Sequence, residues 1–124
     1  MLIIEDNAIY ITRGDDGCID AVPMTDDGEA YPMQEGDSVV LTVREKPEAG
    51  SPVLLQVRSA GGSTRIVLRG ADTSGLTPGR YSADVQLDTQ DGKHYTFWPR
   101  LCGFKRYSSY NYQNFIVMPE VTMN

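Results

Sequence analysis

Leu76-Thr-Pro-Gly-Arg-Tyr-Ser-Ala-Asp-Val-Gln-Leu87 is the stretch that decides how this chain folds. A Pro-Gly turn leads into Tyr81, Ala83, Val85 and Leu87, which alternate with Ser82, Asp84 and Gln86. A period of two residues is that of a strand with one face on a core and the other in water. A Leu, then a Gly, then a Tyr two residues later is how many β-sandwiches cross from one sheet to the other. The Tyr hydroxyl ties back to upstream backbone while the ring joins the core. Leu76, Gly79 and Tyr81 are therefore read as a tyrosine corner. Asp91-Gly92 follows four residues after Leu87 and predicts a hairpin returning through Tyr95–Trp98.

The same pattern extends outward in both directions. Ala8–Thr12, Cys18–Val22, Val39–Val43, Val53–Arg58, Arg65–Leu68 and Phe115–Met118 are further short extended runs. Gly14–Gly17, Thr25–Glu29, Glu35–Asp37, Gly61–Ser63 and Asp72–Gly75 punctuate them, the last as a turn or a single helical turn capped by Asp72. No window of ten or more residues carries a 3.6-residue period. The expected fold is all-β, an immunoglobulin-like antiparallel sandwich of seven or eight strands in a single domain spanning residues 1–124.

Composition narrows the function classes. Hydrophobic content of 40% with seven Tyr, three Phe and one Trp suits a compact fold. No apolar run approaches the roughly 18 residues of a membrane span. The first residues, Met-Leu-Ile-Ile-Glu-Asp, lack the basic and apolar regions of a secretory signal, so synthesis and folding in the cytoplasm are expected. A net charge of −6 argues against direct nucleic-acid binding, which needs a basic footprint. Residues 1–48 hold twelve acids and three bases, and residues 49–124 hold five acids and eight bases. The halves either interleave into a mixed surface or present complementary faces for head-to-tail assembly.

No constellation points to a reaction, and the expectation is a chain without enzymatic activity or cofactor. His94 is the only histidine and lies just past a hairpin tip, with no reason to pair with Cys18, Cys102 or a particular serine. Asp15/Asp16 and Asp26/Asp27 precede Gly in turns, where Asp accepts backbone N–H bonds. Neither Asp15, Asp16 and Asp20 nor the run Asp88–Gly92 has the spacing of a calcium loop, so no metal is expected. Arg13-Gly14-Asp15 matches a cell-adhesion tripeptide, but reads as a strand end entering a turn. Two lone cysteines in a cytoplasmic chain are expected as thiols.

Leu101–Gln113 stands apart. Phe104, Lys105, Arg106, Tyr107, Tyr110 and Tyr112 lie here without strand alternation. Tyr, Ser and Asn together have the composition of recognition loops. The stretch is read either as a loop packed over the end of the sandwich or as an inserted interaction loop.

Four segments in order carry a family resemblance: Ala8–Asp15, Gln34–Arg44, Gly79–Leu87 with Asp91-Gly92, and Asn114–Thr122. In these the chain resembles the small immunoglobulin-like proteins of phages and prophages of Gram-positive bacteria, and is similar to the N-terminal domain of siphophage upper baseplate proteins. The resemblance implies a non-enzymatic structural component of a virion, in the baseplate or tail. Its partners would be other phage structural proteins or further copies of itself. The Tyr-rich insert departs from the family pattern. An alternative is a carbohydrate- or host-surface-binding module using Tyr107, Tyr110 and Tyr112 as stacking platforms.

Overall fold

The computed structural model describes residues 1–5, 7–48, 50–99 and 113–120. Nine strands and one short helix lie among them: β1 (Leu2–Glu5), β2 (Ala8–Thr12), β3 (Gly17–Asp20), β4 (Ser38–Arg44), β5 (Val53–Arg58), β6 (Arg65–Leu68), α1 (Gly70–Ser74), β7 (Gly79–Asp88), β8 (His94–Trp98) and β9 (Phe115–Met118). The larger sheet runs β1-β2-β9-β7-β4-β5, with β8 also on β7, and the smaller one is the pair β3-β6. This is an all-β sandwich. Its large sheet has the immunoglobulin order, a hairpin-linked pair flanked by an earlier strand and its neighbour.

Alternation places the core as expected. Val39, Leu41 and Val43 of β4 and Ala83, Val85 and Leu87 of β7 point inward with Ile9, Ile11, Leu55, Phe115 and Val117. Ile19 of β3 and Ile66 and Leu68 of β6 meet them from the second sheet. Each fully buried aliphatic or Phe side chain contributes about 1.5–3 kcal/mol.

Three features refine the expected sandwich. The first is β1, which runs antiparallel to β2; Leu2-Ile3-Ile4 is three apolar residues in succession and carries no alternation to mark it. The second is that β2 and β9 pair in parallel, so the large sheet is mixed. The third concerns the cap of α1. Asp72 is the third helical residue, and its carboxylate accepts the Arg69 N–H at 2.8 Å while its own N–H bonds the Arg69 carbonyl. It therefore closes the first turn from inside, and Arg69 occupies the cap position.

β8 and β9 are two halves of one interrupted strand. β9 pairs with Gly79–Tyr81 and β8 with Val85–Asp88, both antiparallel. Between them, at Ala83, no strand among the described residues pairs on this edge. The Ala83 N–H donates to Asn114 Oδ1 at 2.6 Å, and Asn114 Nδ2 donates to the Ala83 carbonyl at 2.8 Å. The buried amide of Asn114 thus supplies both bonds that a strand residue would. The Asn114 carbonyl also accepts the Ile9 N–H at 2.7 Å, so this residue joins β2, β7 and β9.

Asn114→Ala leaves the Ala83 N–H and carbonyl unpaired inside the protein. The expected loss is about 2–4 kcal/mol in chemical denaturation. Asn114→Asp is expected to be comparably damaging, because an ionised carboxylate offers the Ala83 carbonyl no donor.

Candidate interaction surfaces

The tyrosine corner is present. The Tyr81 hydroxyl donates to the Thr77 carbonyl, within the upstream segment the sequence indicated. Leu76 and Tyr81 both pack partly buried against the core, and Gly79 opens β7. The ring of Tyr81 is half-buried rather than enclosed. The corner is braced from the β2–β3 turn: the Gly14 N–H donates to the buried Thr73 Oγ1 at 3.0 Å, and the Gly70 N–H donates to Asp16 Oδ1 at 2.7 Å. Leu76, Gly79 and Tyr81 therefore shape the fold. Tyr81→Phe should lower stability by about 0.5–1.5 kcal/mol, the net value of one hydrogen bond, read from the denaturation midpoint.

Phe104, Lys105, Arg106, Tyr107, Tyr110, Tyr112 and Cys102 lie outside the described residues. The ends of the segment that carries them lie on one edge of β7, at Trp98 and Phe115.

The acidic residues of the turns act as turn residues. The Gly28 N–H bonds the Thr25 carbonyl, and the Thr25 N–H bonds the Glu29 carbonyl, closing the loop that holds Asp26 and Asp27. Asp15 follows β2 in a turn closed by its N–H to the Thr12 carbonyl. Cys18 is an exposed free thiol on β3, in the small sheet, whereas His94 is on β8 in the large one. Among the described residues, no group of three or more His, Cys, Asp or Glu is placed to hold a metal.

Two polar networks sequence reasoning did not find are built on paired strands. At one end of the sandwich Asp37, itself buried, accepts the Gln34 N–H at 2.9 Å, the Gln90 N–H at 2.9 Å and the Tyr31 hydroxyl at 3.1 Å. Its carbonyl accepts the Gly62 N–H at 2.7 Å. Gly61 belongs to the same knot, because a Cβ there would lie 2.4 Å from the Glu35 carbonyl oxygen. The second network crosses four strands. Arg58 of β5 donates to Ser38 Oγ at 2.6 Å and pairs with Asp88 at 2.9 Å. Asp88 in turn meets His94 Nδ1 at 2.7 Å and accepts from Gln86 Nε2 at 2.6 Å. The only sequence hint of either was an Asp or Arg at a strand end.

These bonds set the titration of the carboxylates. The Gln34 N–H bond is the main cause holding Asp37 below the usual carboxylate value; burial opposes it, and Gln90 and Tyr31 assist. For Asp88 burial pushes upward most strongly, but the bonds from Gln86, His94 and Arg58 together outweigh it and the net shift is downward. Burial raises Asp84, with Arg44 opposing.

Some of the exposed apolar residues, Ile4, Val22, Met24 and Tyr95, share one flank, while Val53 and Leu54 lie on β5 at the far edge of the large sheet. Among the described residues, the two strands of the small sheet leave the inner face of the large one uncovered beside β1 and β8. A cleft of about 520 Å³ lies there, lined by Ile4, Ile9, Val22, Met24, Phe97 and Trp98 among others. A second, of about 550 Å³, continues along β8 past Tyr95 and Phe97 to Asp91 and Lys93. Ile3, Ile4, Met24 and Tyr95 are each close to half exposed. By contrast the acid-rich and base-rich halves of the sequence interleave within one sheet, where β1, β2 and β4 alternate with strands of the second half.

No family model, no curated protein and no solved structure matches this chain.

A carboxylate held below its unfolded value of about 3.9 stabilises the fold above that pH, and the stability is lost as pH falls through the folded value. Asp37→Asn removes that titration. Its stability should therefore be lower than wild type at neutral pH, with a shallower fall between about pH 5 and pH 2 in urea midpoints taken across pH.

Proposed function

We propose that the protein is a non-enzymatic structural component of a phage or prophage particle, acting in a baseplate- or tail-associated assembly through contacts with other structural proteins or with itself. The observation that carries this reading is the apolar flank on which Ile4, Val22, Met24 and Tyr95 line two adjoining clefts. Groups that chemistry would need are engaged otherwise: Asp37 and Asp88 are bonded into sheet ends, and His94 is tied to Asp88. A small domain with engaged polar groups and an uncovered apolar flank is suited to binding protein surfaces. The resemblance of the four ordered segments supplies the kind of particle. Contiguous apolar surface rimmed by polar groups is what an assembly buries.

The test is co-purification. Particles from an induced lysogen that encodes this chain should contain it after gradient purification, and Met24→Glu should lower its incorporation while leaving the melting temperature near wild type. Particles free of the protein would overturn the assignment.

One observation favours a second reading as a carbohydrate-binding module. Tyr95 and Phe97 form an aromatic wall beside Asp26, Thr89, Asp91 and Lys93, a polar rim over an aromatic surface. Glycan-array binding that Tyr95→Ala abolishes would support it.

A further inference from the structure

We propose that a second copy of this chain adds to the free edge of β1, antiparallel and about a two-fold axis at Ile3, so that the two large sheets become continuous. The inference deepens the assembly reading by naming one partner, and it stands on the geometry of residues 2–5.

Edge availability comes first. β1 pairs with β2 and with no other strand among the described residues. The Thr12 N–H bonds the Met1 carbonyl, so Met1 faces β2, and by alternation Ile3 and Glu5 do as well. The bonds of Ile9 and Arg13 to Asn114 and Met118 confirm the parity, since they show that the intervening residues of β2 turn toward β1. Leu2 and Ile4 therefore present N–H and C=O outward. These are the groups an added strand pairs with.

The outward parity restricts the register. Antiparallel bonding needs Leu2 or Ile4 of one copy opposite Leu2 or Ile4 of the other. Placing Leu2 opposite Ile4 in both directions centres the axis on Ile3 facing Ile3, and sets Glu5 against Met1. No like charges meet. Centring on Ile4 instead would set Glu5 against Ile3 and carry Leu2 past the Glu5 end of the partner's strand. The Ile3-centred arrangement is self-complementary, as a two-fold interface requires. It also places β-branched side chains directly across the strands.

The edges at β5, β3 and β6 are guarded. β5 begins after Pro52, ends in Arg58 and carries a register shift against β4. β3 and β6 carry Asp20 and Arg65. Pro, charge and irregularity are the devices that keep edges from pairing. β1 has none of them before Glu5. Ile3 and Ile4 are 46% and 50% exposed, and Ile4 also lines the apolar cleft, so the edge and the open flank are one continuous surface.

Cross-linking tests the register. Ile3→Cys and Ile4→Cys are made in a background where Cys18 and Cys102 are Ser, oxidised mildly and run on non-reducing gels, while the wild-type chain is sedimented over a concentration series. Opposed residues of a non-hydrogen-bonded pair have Cα atoms about 4.5 Å apart, within disulfide range. The expected result is a concentration-dependent dimer for wild type, a disulfide-linked dimer for Ile3→Cys and none for Ile4→Cys, which faces Leu2. Ile3→Lys, which sets two ammonium groups opposite each other, should sediment as monomer with an unchanged melting temperature. A wild-type chain that stays monomeric, or equal cross-linking of the two cysteine variants, would overturn the proposal. Incorporation into particles without the Ile3 cross-link overturns this pairing alone; the cross-link without incorporation overturns the particle assignment alone.

Discussion

Ala83 is the point on which the large sheet depends. β7 is long enough to serve three neighbours, and on one edge it passes from β9 to β8 with a gap between them. A backbone N–H and C=O facing that gap from inside the core would be unpaired without the Asn114 amide. Because the Asn114 backbone also bonds Ile9, the same residue fixes where β2 meets β9. Among the described residues, the bonding on this edge of β7 is carried across Ala83 by the side chain of Asn114.

The two ends of the sandwich are held differently from its middle. At one end the Asp37 carboxylate gathers the approach to β4 and the β7–β8 turn, while its carbonyl takes the β5–β6 turn. At the other, Thr73 and Asp16 join the β2–β3 turn to α1 and so brace the tyrosine corner. Both ends satisfy loop backbone with side chains, as buried polar groups demand. Among the described residues the flank beside β1 has no equivalent. Two strands cannot cover seven, and apolar side chains there remain in contact with water.

Much of this was legible in the sequence because alternation is a local signal. The strict two-residue period of Arg80–Leu87 announced which side faces the core, since a one-residue slip would bury Asp84 and Gln86. Tyr81 after Gly79 announced the corner. What escaped was non-local. Nothing in Asn114-Phe115-Ile116 marks the Asn as the partner of a residue thirty-one positions earlier. The parallel pairing of β2 with β9 joins the two ends of the chain. Leu2-Ile3-Ile4 reads as apolar in either face assignment, so neither strand nor edge could be inferred from it. Asp37, taken as part of a turn before β4, gave no sign that three segments converge on its side chain.

The openness of the flank and the freedom of the β1 edge have a common origin. A third strand in the small sheet, alongside β3, would cover Ile4 and Val22 and enclose the inner face of β1. Among the described residues no such strand is present, and a strand added to β1 would extend the large sheet without burying the clefts themselves. A two-fold axis normal to the sheet keeps the inner faces of both copies on one side, so the two clefts open in the same direction, next to each other across the axis. Edge pairing then supplies direction and register through backbone bonds, while the paired clefts keep their apolar lining available. On the proposed assembly reading, the chain would join its own copy along one edge and seat a different protein on the doubled flank, with separate residues carrying the two contacts: Ile3 at the axis, Met24 and Tyr95 in the clefts.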